Sequence, residues 1–550
     1  MTASPPVDGD ETVRPSAVPA QQTPVLTPGH EGASNTFLAR AALLTAVLSA
    51  AGSLLGLGRD QALAHLFGAG SETDAFLVAW TVPEVATTLL IEDGLAFMLV
   101  PAFSAAIAAR SAAPDLAHDP VRALVAGSLP RLSLAFLASA VLLVIGAPLL
   151  VEVLAPGLPD PRLAVDCTRL TATCLLTFGL TGYCSAALRA HSSYLAPAAI
   201  YVAYNAGIIA TLLLLADRWG VRAAAAGVAV GGCLMVLVQA PVLRRRLRSA
   251  PRADRAADAK AAKRQSMNLA LIATVLLFAL CRQSQVFVER FLASSLPSGA
   301  ISHLNYAQKV AQLPMALSLM LCTVTFPVVA KALARGDTER ARDRVERDIA
   351  LAACIVLCGA ALVFACAPQI VELLFQRGAF TGRDTAATAS IMRVYSLGLL
   401  GHCLVGALVR SYFSAGRPTW YPVATMAAGM VLTAGLGTWA VAFWGVGGIA
   451  AANALGITFT AVLLLAGMDG RSVPVRLGTV LPELAKTLLA AVAATAAGLA
   501  AALPFTHPLA GLAVAAPAIA AVFLLSLWAL NVRAFLPAVR IATRKLRHVS

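Results

Sequence analysis

From Phe37 onward the sequence is an almost unbroken series of apolar runs of 18 or more residues, separated by short polar links. Each run matches the roughly 20 residues an α-helix needs to cross the ~30 Å hydrocarbon core of a bilayer. The runs are continuously apolar rather than alternating, which excludes a transmembrane β-barrel. Composition agrees: 59% of the 550 residues are hydrophobic, 13% are charged, and mean hydropathy is +0.77. A soluble chain of this length needs about 25% charged residues to cover its surface. The pattern predicts an all-α polytopic membrane protein.

Fourteen spans are predicted, at about 37–64, 74–109, 123–152, 164–188, 195–216, 222–243, 268–294, 300–332, 349–375, 386–412, 421–444, 447–467, 481–504 and 508–532. Pro83, Pro101, Pro314 and Pro327 lie within spans, so kinks and tilt are expected. Nine Lys and Arg fall in the 244–264 loop and six in 331–348, with five more near the C-terminus. The loops on the opposite side hold few, among them Arg162, Arg218, Arg222, Arg377 and Arg383. Basic loops stay cytoplasmic, so both termini are predicted there. The same distribution answers the net charge of +14 without a nucleic-acid partner. Residues 1–36, rich in Pro and Thr, are predicted to be a disordered cytoplasmic tail that could bind a partner.

An internal repeat runs through the chain. Ala147-Pro148…Glu152 recurs as Ala367-Pro368…Glu372, Pro101 as Pro327, and Pro197 as Pro422, at offsets of 220–226 residues. The period is six spans, an even number, so the halves should share one orientation and be related by an axis along the membrane normal. The predicted organisation is an N-terminal lobe (37–243, spans 1–6), a basic cytoplasmic linker (244–266), a C-terminal lobe (267–468, spans 7–12), spans 13–14 (469–535) and a basic tail (536–550). Two parallel six-helix lobes around a cavity are a transporter layout.

Charges within spans are costly unless paired or hydrated, so they mark function. The first hairpin holds Arg59, Asp60, Asp74, Glu84, Glu92 and Asp93; span 7 holds Arg282, Glu289 and Arg290; span 8 holds Lys309. By the repeat these spans are equivalent, and their charges should face one cavity. Arg59-Asp60 and Glu289-Arg290 could instead be self-compensating pairs. Lys309 has no acid within a helical turn, and Arg282 none before Glu289. A cationic cavity would replace the hydration of phosphates, and arginine binds them bidentately. The acids would keep the cations from locking a ligand in place. No nucleophile–base pair, P-loop or metal-ligand spacing is present, so no enzyme, catalytic residue or metal site is expected. All ten cysteines fall in apolar segments and are predicted to be small buried hydrophobes without disulfides.

The segment Arg59-Asp60…Phe67-Gly68-Ala69-Gly70…Asp74-Ala75-Phe76…Pro83…Glu92…Val100-Pro101 resembles the first hairpin of the MurJ/MviN family of the multidrug/oligosaccharidyl-lipid/polysaccharide exporter superfamily. So do Val288-Glu289-Arg290…Ala293-Ser294, Asn305-Tyr306-Ala307, Leu313-Pro314 and Phe375-Gln376-Arg377-Gly378-Ala379-Phe380-Thr381. The resemblance covers about residues 40–535. It implies two six-helix lobes plus two helices, in a bacterial plasma membrane. It further implies alternating-access transport of lipid II, the undecaprenyl-diphosphate-linked disaccharide-pentapeptide, from inner to outer leaflet. The family's diphosphate-binding arginines map onto Arg59 and Lys309, with Ser53 and Thr87 at two positions where the family has arginine and Gln312 where it has an acid. Arg59, Lys309, Arg282 and Arg290 are therefore the expected headgroup ligands, and Asp60, Asp74, Glu92 and Glu289 the cavity acids or coupling groups. No cofactor is expected, and the drive would be membrane potential or a monovalent cation. The absent arginines keep open an exporter of another polyprenyl-linked glycan or amphipathic metabolite, and a third reading is a non-transporting membrane scaffold whose N-terminal tail or basic loop recruits cell-wall synthesis proteins.

Overall fold

The computed structural model describes residues 31–92, 94–112, 119–248, 269–318, 337–414 and 419–532. In chain order the helices are α1 Glu31–Phe67, α2 Ser71–Ala79, α3 Thr81–Ala86, α4 Gly94–Ala112, α5 Pro120–Leu154, α6 Pro161–Ala172, α7 Cys174–Ala190, α8 Leu195–Trp219 and α9 Arg222–Arg248. Then come α10 Leu269–Ser294, α11 Ala300–Ala311, α12 Thr338–Ala365, α13 Ala367–Phe375, α14 Gly382–Ser396, α15 Leu399–Ser414, α16 Tyr421–Ala466, α17 Leu477–Ala502 and α18 Pro508–Ala529. A π-helical turn, Thr87–Glu92, separates α3 from α4. Among the described residues nine stretches are long and apolar enough to cross a membrane, or ten when the pair Gly382–Ser396 and Leu399–Phe413, bent by 48°, counts as one span. The contacts below all lie from Thr45 onward, within one structural unit.

The order of helices follows the hydropathy reading, but the fourth, ninth and tenth expected spans are each divided, at Thr173, at Cys366 and between Ser396 and Leu399, and three further corrections apply. The second expected span is divided at Trp80 and again by the π turn. The ninth begins at Thr338 rather than 349, because Asp337 caps α12 by accepting from Arg340 N at 3.0 Å. Its charged first turns are held by Arg342–Glu339 and Arg344–Asp348 pairs, so residues expected to be loop are helix. Helix α1 begins at Glu31, inside the stretch expected to be disordered. Residues 1–30, Asp93, most of the linker (249–266), Pro327 and the C-terminal tail lie outside the described residues.

Helix starts need donors satisfied, because lipid offers no acceptor for their free N–H groups. Asp119 accepts from Val121 N, Asp160 accepts from Leu163 N, and Thr381 with Asp384 forms a capping box on α14. The outer faces stay apolar: Leu142, Ile145, Leu149 and Val153 make one exposed stripe on α5, as a lipid-facing surface requires. Inside, Phe178 and Tyr204 meet edge to face at 5.5 Å beside Trp80, and Tyr306 packs on Phe375 and Phe380.

Helices between residues 71 and 248 pack mainly on one another, as do those between 269 and 529; α2, α3 and the π turn are among the elements that bridge to α10 and α11. The repeat also has a backbone signature. Trp219-Gly220-Val221 recurs 225 residues later as Trp444-Gly445-Val446. Gly220 has φ +56°, ψ −144° and Gly445 has φ +53°, ψ −130°. Only glycine occupies that region without strain; Gly445 thereby breaks the range given as α16 into two helices, and each half turns between equivalent helices on the same residue.

The cysteine expectation holds in part. Cys167, Cys174, Cys184, Cys366 and Cys403 are buried, whereas Cys281, Cys354 and Cys358 are half-buried and Cys233 is exposed. A weakly polar thiol on an apolar helix face is compatible with lipid, so burial is not required of it.

Candidate functional site

Asp60, near the end of α1, is the centre of a cluster that joins the two halves. Arg59 grips it through Nη2 at 2.8 Å and Nε at 3.1 Å. Lys309 of α11 approaches its other oxygen at 3.0 Å. Arg59 also donates to Asn205 Oδ1 at 3.2 Å, and its guanidinium lies 4.2 Å above the Trp80 ring. Lys309 Nζ lies 5.7 Å from the same ring. Trp80 thus offers its π face to both cations. The sequence suggested that Arg59 and Asp60 could compensate only each other and that Lys309 had no acid; the carboxylate it lacked along its own helix comes from the other half.

A second contact crosses the halves. Arg290 of α10 donates through Nη2 to Glu84 Oε2 at 2.9 Å and through Nη1 to the Thr81 hydroxyl. Glu289, an expected cavity acid for which pairing with Arg290 was the alternative, makes no ion pair with Arg290. It is buried and accepts from Gln285 Nε2 at 2.9 Å and from Asn453 Nδ2. Adjacent helical residues point about 100° apart, so Arg290 turns to α3 while Glu289 turns into its own half. Asn453 in turn takes His402 on its Oδ1 at 3.1 Å, and Gln308 donates to Tyr395 Oη at 2.7 Å.

Between these contacts lies a polar cavity of about 80 Å³, lined by Glu84, Glu289, Arg290, Asn305, Gln308, Lys309 and Gln312 among others. Arg59 and Asp60 sit beside Lys309 at its edge. The expected cationic chamber is therefore corrected: its positive side chains are matched by carboxylates of the protein itself. Arg282, two turns away from Glu289 on α10, is not among the lining residues. Ser53 is exposed and bonded back to Ser49 O, and the Thr87 hydroxyl donates to Pro83 O at 2.8 Å, so neither restores a cation.

Asp74 and Glu92 stand elsewhere. Asp74 caps α11: its oxygens accept from Gly299 N at 2.6 Å, from Ser302 N at 2.7 Å and from the Ser302 hydroxyl at 2.5 Å. An acid at a helix N-terminus is stabilised by the free N–H groups and the helix dipole. At the same face, Ala379 N donates to His65 O at 2.9 Å, and Gly157 N to the Ser294 hydroxyl at 3.4 Å. The turns after α1, α5, α10 and α13 are thereby stitched together. Glu92 accepts from Tyr201 Oη at 2.9 Å at the end of the π turn. Glu84, one of the in-span charges expected to face a cavity, does line it, but its partner 206 positions away was not readable; sequence reasoning missed Asn305 on the lining and Trp80 beneath the two cations.

A bundle of apolar helices whose halves meet at a buried, charged cavity defines a multi-pass membrane protein of the transporter class. This chain belongs to the lipid II flippase MurJ family: the family model described as "Lipid II flippase MurJ" matches residues 63–516. It is 27% identical over 451 residues to the lipid II flippase MurJ of Burkholderia cenocepacia, covering 79% of this chain and 84% of that one. It is 28% identical over 467 residues to a probable lipid II flippase MurJ of Bdellovibrio bacteriovorus, covering 82% and 86%. The fold is similar to a solved lipid II flippase MurJ in an inward closed conformation, with TM-score 0.69 and 17% identity over 88% of this chain and 98% of that one. It is also similar to an inward-facing multidrug resistance MATE family transporter of the MOP superfamily, with TM-score 0.59 and 15% identity over 77% and 96%. The family resemblance read from the first hairpin is borne out.

Proposed function

We propose that this protein carries lipid II from the inner to the outer leaflet of a bacterial plasma membrane by alternating access between two six-helix lobes. Family membership supports the substrate. The observation that carries the mechanism is Asp60 shared between Arg59 of one half and Lys309 of the other. A diphosphate offers the two cations better acceptors than a single carboxylate does, bidentately to Arg59 and as a point contact to Lys309. Its arrival releases Asp60 and loosens the bridge between halves; its departure restores the bridge. The protein performs no covalent chemistry on its cargo. Coupling is to membrane potential or a monovalent cation, and Glu289 is the carboxylate placed to respond. The face stitched by Asp74 is the one the loop charges put outside, with both termini in the cytoplasm, which supports a state closed to the exterior.

The test is complementation. Cells depleted of their native flippase should grow when given this protein, and should fail with Arg59→Ala or Lys309→Ala at matched membrane expression. Failure of the unaltered protein to rescue would favour the other exporter reading, for which the Ser53 and Thr87 positions speak. Full rescue by both variants removes the diphosphate role from these cations.

A further inference from the structure

The cavity holds features that a diphosphate leaves unused. Counting the cluster at its edge, Arg59, Arg290 and Lys309 face Asp60, Glu84 and Glu289: three cations and three carboxylates. A purely anionic headgroup would enter a site with no net positive charge to receive it. Glu84 is also only half committed. Its Oε2 holds Arg290, its Oε1 takes no hydrogen bond among the described residues, and the side chain is 36% exposed where it lines the cavity. Asn305, on the same lining, has its Oδ1 buried without a hydrogen-bond partner. Two acceptors without donors, one of them charged, call for a ligand that donates and is positive. Lys309 and Arg290 are already committed to Asp60 and to Glu84 Oε2, and neither makes a hydrogen bond to Glu84 Oε1 or Asn305 Oδ1.

We infer that the cavity recognises a protonated primary amine on the transported headgroup, seated between Glu84 and Asn305. An ammonium has three N–H donors and a compact charge, enough for Glu84 Oε1, Asn305 Oδ1 and one further neighbour such as Gln308. The headgroup is then read as a zwitterion: its phosphates displace Asp60 from Arg59 and Lys309, while its amine settles the acid opposite. The phosphates and the amine each meet groups of opposite sign, and a headgroup lacking the amine leaves Glu84 and Asn305 unsatisfied. Glu84 becomes the specificity determinant, the residue that separates amine-bearing cargo from its neutral analogues. This reading deepens the proposed lipid II transport and rests on the same cavity.

The experiment uses the full chain in lipid nanodiscs and measures binding by calorimetry with four probes: lipid II bearing a free side-chain amine, the same lipid N-acetylated at that amine, octylammonium chloride and octanol. Acetylation keeps an N–H but removes the charge. The unaltered protein should bind the free-amine lipid at least tenfold more tightly than the acetylated one, and octylammonium but not octanol. Glu84→Gln should bind both lipids alike and lose octylammonium. Because Glu84→Gln strands the buried Arg290, the double variant Glu84→Gln/Arg290→Gln, which strands neither, should give the same loss of discrimination. Equal affinity for the two lipids in the unaltered protein overturns the amine site and leaves lipid II transport standing. Glu84-dependent binding of octylammonium with neither lipid bound upholds the amine site and overturns lipid II as cargo. Binding of none of the four overturns both.

Discussion

Asp60 and Asp74 are both buried carboxylates of the first half, and both reach the same helix of the second, α11. Their contacts on it are Ser302 and Lys309, about 10 Å apart along the axis at 1.5 Å per residue. Asp74 takes three donors fixed to the start of the helix, two of them backbone N–H groups. Nothing a substrate brings competes with backbone geometry, so this contact acts as a fixed clasp. Asp60 takes two flexible cations, and the Lys309 side chain is 32% exposed. A better anion can replace it there. One acid therefore fastens one end of the bundle, and the other reports on the cavity, through opposite ends of a single short helix.

Removing the clasp should have the largest effect. Asp74→Ala deletes the acceptor of three hydrogen bonds and should destabilise the protein by about 3–5 kcal/mol, the range for stripping one partner from a buried charged contact, with loss of complementation. Thermal unfolding in detergent and the rescue assay measure both. If Asp74→Ala keeps full stability, the distinction between the two acids fails. Next, Asp60→Asn frees Arg59 and Lys309. Diphosphate-lipid affinity should rise about tenfold, or ~1.4 kcal/mol, while transport slows because release no longer has a competing anion; calorimetry and a vesicle flipping assay separate the two. Weaker binding in Asp60→Asn would mean that the acid orients the cations rather than competing for them. A smaller effect, about 1 kcal/mol, is expected of Ser302→Ala, which removes one donor and leaves the backbone pair. Smallest is Arg476→Ala, which breaks exposed pairs with Asp343 and Glu346 and should change stability by less than about 1 kcal/mol. A larger loss there would make stability a poor measure of the clasp.

Much of this was legible because a bilayer imposes a simple rule: long apolar runs become helices, so the helix order could be read from hydropathy alone. The breaks were harder. The π turn at Thr87–Glu92 carries no local punctuation, since its i→i+5 bonds keep the backbone paired within the helix and leave no Gly or Pro requirement. The Gly220 and Gly445 turns carry a local signal, Trp-Gly-Val in both halves, that lies apart from the prolines marking the repeat. For the site, single-residue charges stood out against apolar sequence, yet their partners did not. Lys309 meets Asp60 across 249 positions and Arg290 meets Glu84 across 206. Pairing at that range is decided by how helices pack, and no local pattern encodes it. A charged cavity was readable; its neutrality was not, because neutrality depends on which charges the fold excludes. Asp74 and Arg282 drop out for that reason.

Trp80, pressed beneath Arg59 and Lys309, also gives the protein a native optical signal. It is 9% exposed, while Trp219, Trp420, Trp439, Trp444 and Trp528 are each at least half exposed on the outer surface. One indole alone therefore watches the charged centre. A water-soluble collisional quencher that reaches it must have entered from the side then open. With those five replaced by phenylalanine, emission recorded with quencher confined to one compartment of a vesicle would register which way the transporter faces without a single label.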